Sequence, residues 1–394
     1  MLRLLTAGES HGRALVAIVE GLPAGLPIST SEIADELARR RLGYGRGPRQ
    51  RFETDDITIL GGVRHGRTLG SPVAIEIANA EWPKWQDEMS NEPGYRSRRL
   101  TTPRPGHADL AGMQKYGFDD ARDVLERASA RETAARVAAG ALAKALLAQI
   151  GVSVLSHVVQ IGDVKARAGL RPGPGELDKV DASRVRCFDP SAEAEMVAGI
   201  GAAAKDGDSL GGIVELLGYG VPVGLGSHVH WDRKLDGLIA QGLMSIQAVK
   251  AVWIGDGIDV AGLRGSKGHD SIYFDASTQQ YERKTSLAGG IEGGISTGGL
   301  LVAGAAMKPL ATLNRPVIET VDILTKDKAV SFKERTDVTA VPAMGVVAET
   351  MLALVLASES LRKFGGDSVS ELKRNHSSYL AEVREERWPS AVAD

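Results

Sequence analysis

Residues 128–150 read ASARETAARVAAGALAKALLAQI. Alanine gives up almost no side-chain entropy in a helix, and small side chains let a helix pack close against its neighbours. The stretch predicts the strongest helix of the chain, over about residues 120–150, and a buried one. Arg127, Arg131 and Arg136 are set into it beside Glu126 and Glu132. On a continuous helix Arg127 and Arg131 share one face. These arginines either pair with the neighbouring glutamates or, if buried, need an anionic partner, which a phosphorylated ligand would provide.

Around this helix the strands come in adjacent pairs. Residues 1–6 and ALVAIVE (14–20) flank a tight loop, and ITIL (57–60) and VAIEIA (73–78) flank a Gly-rich turn. VSVLSHVVQIG (152–162), residues 212–218, LLVAGAAMK and VIETVDIL (317–324) also read as strands. Ser29 followed by Glu32 is a capping box that opens a helix over EIADELARRRL, stopped near Gly43. Further helices are predicted near 191–204, at about 233–250 through SIQAVKAVWIG, and over PAMGVVAETMLALVLASESL. Residues 79–119, 165–190 and 264–286 read as loops, and the charged tail after Gly366 as peripheral. Paired strands, interspersed helices and no break in composition predict one α+β layered domain over residues 1–394.

Composition narrows the function classes. With 43% hydrophobic and 25% charged residues, the chain can build a sizeable core. A net charge of -3 argues neither for nor against nucleic acid. The lone cysteine, Cys187, excludes an intramolecular disulfide and a multi-cysteine zinc site, so a reducing cytoplasm is the expected home. No run is read as approaching the roughly 20 apolar residues of a membrane span, and no leader is read at the N-terminus.

Five segments carry the candidate chemistry. GESHG (8–12) fits the Gly-x-Ser-x-Gly pattern of a hydrolase nucleophile, but it also puts His11 directly after Ser10. RPGHADLAG holds His107. Both histidines lie in Gly-flanked loops and suit proton transfer near neutral pH. Metal-ligand spacing is lacking, also around HVHWD (228–232), so no metal is expected. ARRRLGYGRGPRQR (38–51) brings Arg39, Arg40, Arg41, Arg46, Arg49 and Arg51 to a helix end and a flexible loop. It is either a solvated basic face or an anion site built from guanidinium forks. GGIEGGISTGG (289–299) is neither a Walker loop nor a dinucleotide fingerprint, though its backbone N–H groups can cradle a phosphate or a planar ring. RTDVTAVPA (335–343) places Asp337 just before a helix start at Pro342. That carboxylate either caps the helix entry or orients a base.

AGESHGRAL, RPGHADLAGMQKYGFDDARDVLERASARETAARVAAGA and RTDVTAVPAMGVVAE together resemble the three signature regions of the chorismate synthase family. RRRLGYGRGPRQR and AAMKPLAT fall where that family has its own segments, and the resemblance runs from residue 1 to about 365. It implies an anti 1,4-elimination of phosphate from 5-enolpyruvylshikimate 3-phosphate to give chorismate, without net redox change but with reduced FMN. It implies a β-α-β sandwich, a helical layer between two antiparallel sheets, assembled as a homotetramer. His11 would protonate the leaving phosphate with Ser10 as a relay partner, His107 would stabilise the anionic reduced flavin, and Asp337 would assist loss of the carbon-6 proton. FMN contacts would fall to Arg127, Ala128, Ser129, Gln247, Ala248, Gly293, Lys308, Pro309, Leu310, Ala311, Thr312 and Arg335. Arg40, Arg46, Arg49 and Arg131 would bind substrate anions or NADPH. Ala128 stands where the family often has serine, and Thr336 where serine or histidine is frequent. An external flavin reductase is expected, with no nucleic-acid or membrane partner. The competing readings are a serine hydrolase at Ser10 and a non-catalytic anion- or flavin-binding protein.

Overall fold

The computed structural model describes residues 2–47, 53–95, 97, 99–277, 280–332 and 336–385. The first sheet holds β1 (Arg3–Ala7), β2 (Ala14–Glu20), β3 (Ile57–Gly61) and β4 (Val73–Ala78), in the order β1-β2-β4-β3 with every pair antiparallel. Alternation decides its inner face: Leu15, Ala17 and Val19 of β2 and Val73, Ile75 and Ile77 of β4 are all buried. The second sheet holds β5 (Ser153–Ile161), β6 (Val164–Lys165), β7 (Gly212–Tyr219), β8 (Val249–Ile254) and β9 (Leu301–Met307), in the order β8-β9-β7-β5-β6, again antiparallel throughout.

Among the described residues, the helices of seven residues or more are α1 (Thr30–Arg41), α2 (Asp109–Tyr116), α3 (Arg122–Ala128), α4 (Thr133–Ala148), α5 (Pro190–Asp206), α6 (Leu235–Met244), α7 (Val341–Phe364) and α8 (Val369–Glu385). The capping box at Ser29 and Glu32 opens α1 as the sequence predicts. Asp189 caps α5, with Pro190 in its first turn and a left-handed Gly207 at its end. α4 lies on the inner face of the first sheet, α7 lies on β5 and β7 of the second, and the two helices pack on each other. Their contact is close because Gly140 faces Thr350: a Cβ on Gly140 would come within 2.2 Å of the Thr350 Cβ.

Several sequence expectations give way. The long helix is not continuous. Ser129 adopts an extended conformation (φ -60°, ψ 141°) and separates α3 from a short 3-10 turn and α4. Arg127 and Arg131 therefore do not share a face. The segment SIQAVKAVWIG does not end a helix: α6 stops at Met244 and Val249–Ile254 becomes β8, paired with β9. Val249, Val252, Trp253 and Ile254 are strand-favouring residues, so local preference and sheet pairing agree here, and the pairing needs Gly304, where a Cβ would lie 2.2 Å from Trp253 Cε2. The loop at 79–119 contains α2, that at 165–190 a helix at Leu177–Ala182, and that at 264–286 a hairpin of Ile272–Asp275 with Gln280–Arg283. The tail forms α8 and buries Leu372 against the core. By length and composition α7 could cross a membrane, contrary to expectation, but it is mostly buried between protein layers.

Candidate active site

The loop after β1 is pinned from three sides. Asn79 Nδ2 donates to the carbonyls of Glu9 and Gly12 at 3.0 and 2.7 Å. Gly8 has φ +96°, and a Cβ there would meet the Ala14 carbonyl at 2.2 Å, so the turn requires glycine. Ser10 N donates to the Glu126 carbonyl at 3.0 Å, and His11 N donates to Glu126 Oε2 at 2.8 Å. Strand β2, not a helix, follows Ser10, so the segment does not form a hydrolase elbow. The Ser10 hydroxyl instead accepts from Ser129 Oγ at 3.2 Å.

The second histidine belongs to a compact cluster. Arg104 donates from Nε to Asp109 Oδ2 at 2.9 Å and from Nη1 to Thr312 Oγ1 at 3.1 Å. Asp109 Oδ1 lies 2.5 Å from His107 Nδ1. Burial works to raise the Asp109 carboxyl, but the hydrogen bonds from His107 and Arg104 outweigh it and hold the group well below the usual carboxylate range. Asp109 is thus an anion that fixes both neighbours.

The basic segment divides. Arg39 turns into the core, where it meets Glu349, Glu36 and Asp181. Arg40 is buried and lines a cavity, as does Arg46 two glycines further on. Asp337 sits in the loop before α7, accepts from Gly47 N at 2.5 Å and has Oδ2 3.4 Å from Arg46 Nε. Among the described residues, Arg46 Nη1 is buried without a hydrogen-bond partner, and so is Gln247 Oε1.

These pieces meet in one cavity of about 290 Å³. Ser10, His11, His107 and Asp337 line it, with Arg40, Arg46, Arg104 and Arg131. So do Ser129, Gln247, Ala248, Leu310, Ala311 and Thr312. Ala248 holds a left-handed conformation (φ 66°), uncommon for a residue with a Cβ. Arg131 already has anionic partners in Asp55 and Glu53, and donates to Asn79 Oδ1 at 2.9 Å. Its burial therefore does not require an external anion.

Five expected residues do not line the cavity: Arg127, Ala128, Gly293, Lys308 and Pro309. Arg127 donates to the carbonyls of Thr6 and Gly8 at 2.8 and 3.0 Å. Lys308 Nζ reaches the Gly106 carbonyl beside His107. Gly293 lies in the turn between Ile291–Glu292 and Ile295–Ser296. Arg49 and Arg335 lie outside the described residues. Sequence reasoning missed Arg104, Asp109 and Glu126 as partners of the histidines. Arg104 and Asp109 were within reach, since both lie in one short loop with His107. Glu126 is 115 positions from His11, and no local pattern links them.

Two histidines and a carboxylate sharing one cavity with four arginines have the make-up of an enzyme active site. A family model described as chorismate synthase matches residues 2–361. A chorismate synthase of Salinispora tropica is 60% identical over 389 residues, covering 96% of this chain and 98% of that protein. One of Streptomyces coelicolor is 58% identical over 388 residues, covering 96% and 98%. A solved structure titled "Crystal Structure of Chorismate Synthase" superposes with a TM-score of 0.78 at 40% identity, covering 97% of this chain and 98% of that one. The chain belongs to the chorismate synthase family, and it is a lyase of aromatic amino-acid biosynthesis.

Proposed function

We propose that this cavity eliminates phosphate from 5-enolpyruvylshikimate 3-phosphate to give chorismate. The observation that carries the reading is that His11 and His107, from loops far apart in sequence, line one cavity with four arginines and Asp337. The substrate's phosphate and two carboxylates are the groups that guanidinium forks bind in two-pronged fashion, and Arg46 offers an Nη1 without a partner among the described residues. His11 protonates the departing phosphate: the carbon–oxygen pair goes to the phosphate oxygen, and the imidazolium proton follows it. Ser10 relays hydrogen bonds at the same end, linked to Ser129. Asp337 assists removal of the carbon-6 proton. Arg40 and Arg46 hold substrate anions or the phosphates of a reduced pyridine nucleotide.

The residues fit a flavin mononucleotide. Ile246, Met307, Leu310 and Ala311 give an apolar wall for a planar ring, and the unpartnered Gln247 Oε1 is a ready acceptor. Arg46 Nη1, also unpartnered among the described residues, suits a phosphate. Reduced FMN, when bound, supplies electron density as phosphate leaves and recovers it as hydrogen is lost. His107, held by Asp109, would balance negative charge beside it. Arg127, Ala128, Gly293, Lys308 and Pro309, away from the cavity lining, remain candidates for flavin contacts, with Arg49 and Arg335. A single domain, a β-α-β sandwich, a homotetramer in the cytoplasm and a separate flavin reductase complete the reading.

The test is anaerobic phosphate release from the substrate with photoreduced FMN and no other enzyme. Turnover should depend on reduction of the flavin, and His11→Ala should lose roughly 10²–10⁴-fold in kcat while still binding FMN. Equal rates with and without reduced flavin would refute the proposal.

A further inference from the structure

His11 is held by more than its own loop. Its ring stacks on that of Trp85, with centroids 4.2 Å apart and an interplanar angle of 30°. The Arg122 guanidinium lies 4.8 Å from the centre of the same Trp85 ring and donates from Nη1 to Glu126 Oε1 at 3.0 Å. Glu126 closes the circuit. Its Oε1 and Oε2 lie 2.9 and 3.1 Å from His11 Nδ1, and Oε2 also accepts the His11 backbone N–H. Glu126 is 3% exposed. Burial works to raise its carboxyl, but the hydrogen bond and charge of His11, with the charge of Arg122, outweigh that and keep it low. An ionised carboxylate only accepts hydrogen bonds. The nitrogen facing it must then be Nδ1–H, which leaves Nε2 as the ring nitrogen that Glu126 does not engage.

We propose that Glu126 is a positioning residue for proton transfer at His11: it takes the Nδ1 hydrogen and so offers Nε2 to the ligand, while the Trp85–Arg122 stack fixes the plane of the ring. The inference rests on the reading of His11 as the proton donor. As the carbon–oxygen bond breaks, its electron pair stays on the phosphate oxygen and the Nε2 proton moves there. The neutral imidazole that remains keeps its Nδ1 hydrogen on Glu126. Other charged groups face the same space: Arg122 from α3, and Arg40, Arg46, Glu53, Arg104, Arg131 and Asp337 from the cavity wall, with His107. None of these is hydrogen-bonded to His11 Nδ1 as Glu126 is.

A double-mutant cycle on kcat separates positioning from bulk structure. Glu126→Ala should lower kcat at least roughly 10- to 100-fold, the scale for carboxylates that orient metal-bound imidazoles, with KM nearly unchanged. The same change in a His11→Ala background should cost nothing further, and added formate should restore part of the loss in Glu126→Ala alone. If Glu126→Ala does not fold, Glu126→Gln keeps the volume and carries the same comparison. ¹⁵N NMR of histidine-labelled protein, with His11 assigned by the signal lost in His11→Ala, should show hydrogen on Nδ1 in the unmodified chain. An equal loss from the Glu126 change in both backgrounds, or hydrogen on Nε2 alone, would overturn the positioning role. Full turnover in His11→Ala would instead overturn the reading on which it rests.

Discussion

Arg127 and Arg131, four positions apart, face different surroundings because the chain turns out of helix at Ser129 between them. Arg127 is drawn to the carbonyls of Thr6 and Gly8, and Arg131 to Asp55 and Asn79. The break puts Ser129 in the cavity lining, against Ser10.

Ser129 caps the turn that follows it, accepting from Arg131 N at 3.2 Å. Replacing it with alanine should cost about 0.5–2 kcal/mol, the usual value of a lost cap. Urea unfolding of Ser129→Ala measures this. A stability equal to that of the unmodified chain would show that the turn is held by its other contacts.

Glu349, fully buried in α7, binds Arg39 Nη1 at 2.7 Å and accepts from Ser156 Oγ at 3.0 Å, with Lys144 and Arg186 beside it. Burial works to raise its carboxyl, but the charges of Arg39 and Lys144 prevail and push it well below the ordinary value. A depressed carboxylate stabilises the fold above its unfolded pKa of about 4.3 and loses that contribution as pH falls toward the folded value. The Tm should therefore hold between about pH 7 and 5 and drop steeply below about 4. Glu349→Gln, which takes this buried charge from Arg39, Lys144 and Arg186 and leaves them Glu36 and Asp181, should cost up to about 3–5 kcal/mol at pH 7.

Arg46 Nη1 is buried and has no hydrogen-bond partner among the described residues, and Arg46 Nε lies 3.4 Å from Asp337 Oδ2. Arg46→Ala should raise the KM for substrate, or for reduced pyridine nucleotide if that is what binds there, roughly 10- to 100-fold, the scale of a lost charged hydrogen bond. Arg46→Lys should recover little, because a lysine cannot reproduce the planar fork. Steady-state kinetics with each ligand varied in turn decide between the two. An unchanged KM for both would remove Arg46 from the binding site.

Gly140 lets α4 and α7 approach, and a Cβ there would also come within 3.0 Å of the Thr350 backbone. Gly140→Ala should destabilise the chain by about 1–3 kcal/mol through overpacking, despite alanine's better helix propensity. Thermal unfolding gives the sign. A rise in Tm would mean that the two helices can separate without cost.

Much of the local architecture was legible in the sequence. The capping box set the start of α1, and alternation of apolar residues placed β2 and β4. The glycine-flanked histidines marked both loops of the cavity. Each is a local effect, decided by neighbours a few positions away. The sequence also carried the family motifs that hold His11, His107 and Asp337. Tertiary structure decided the rest. It sent Arg39 to Glu349 in the core and Arg40 to the cavity, and it paired Val249–Ile254 with β9. It also set Glu126 against His11. These outcomes depend on which elements pack together. The energy of burying a charge or completing a ladder is fixed by partners that lie far away along the chain.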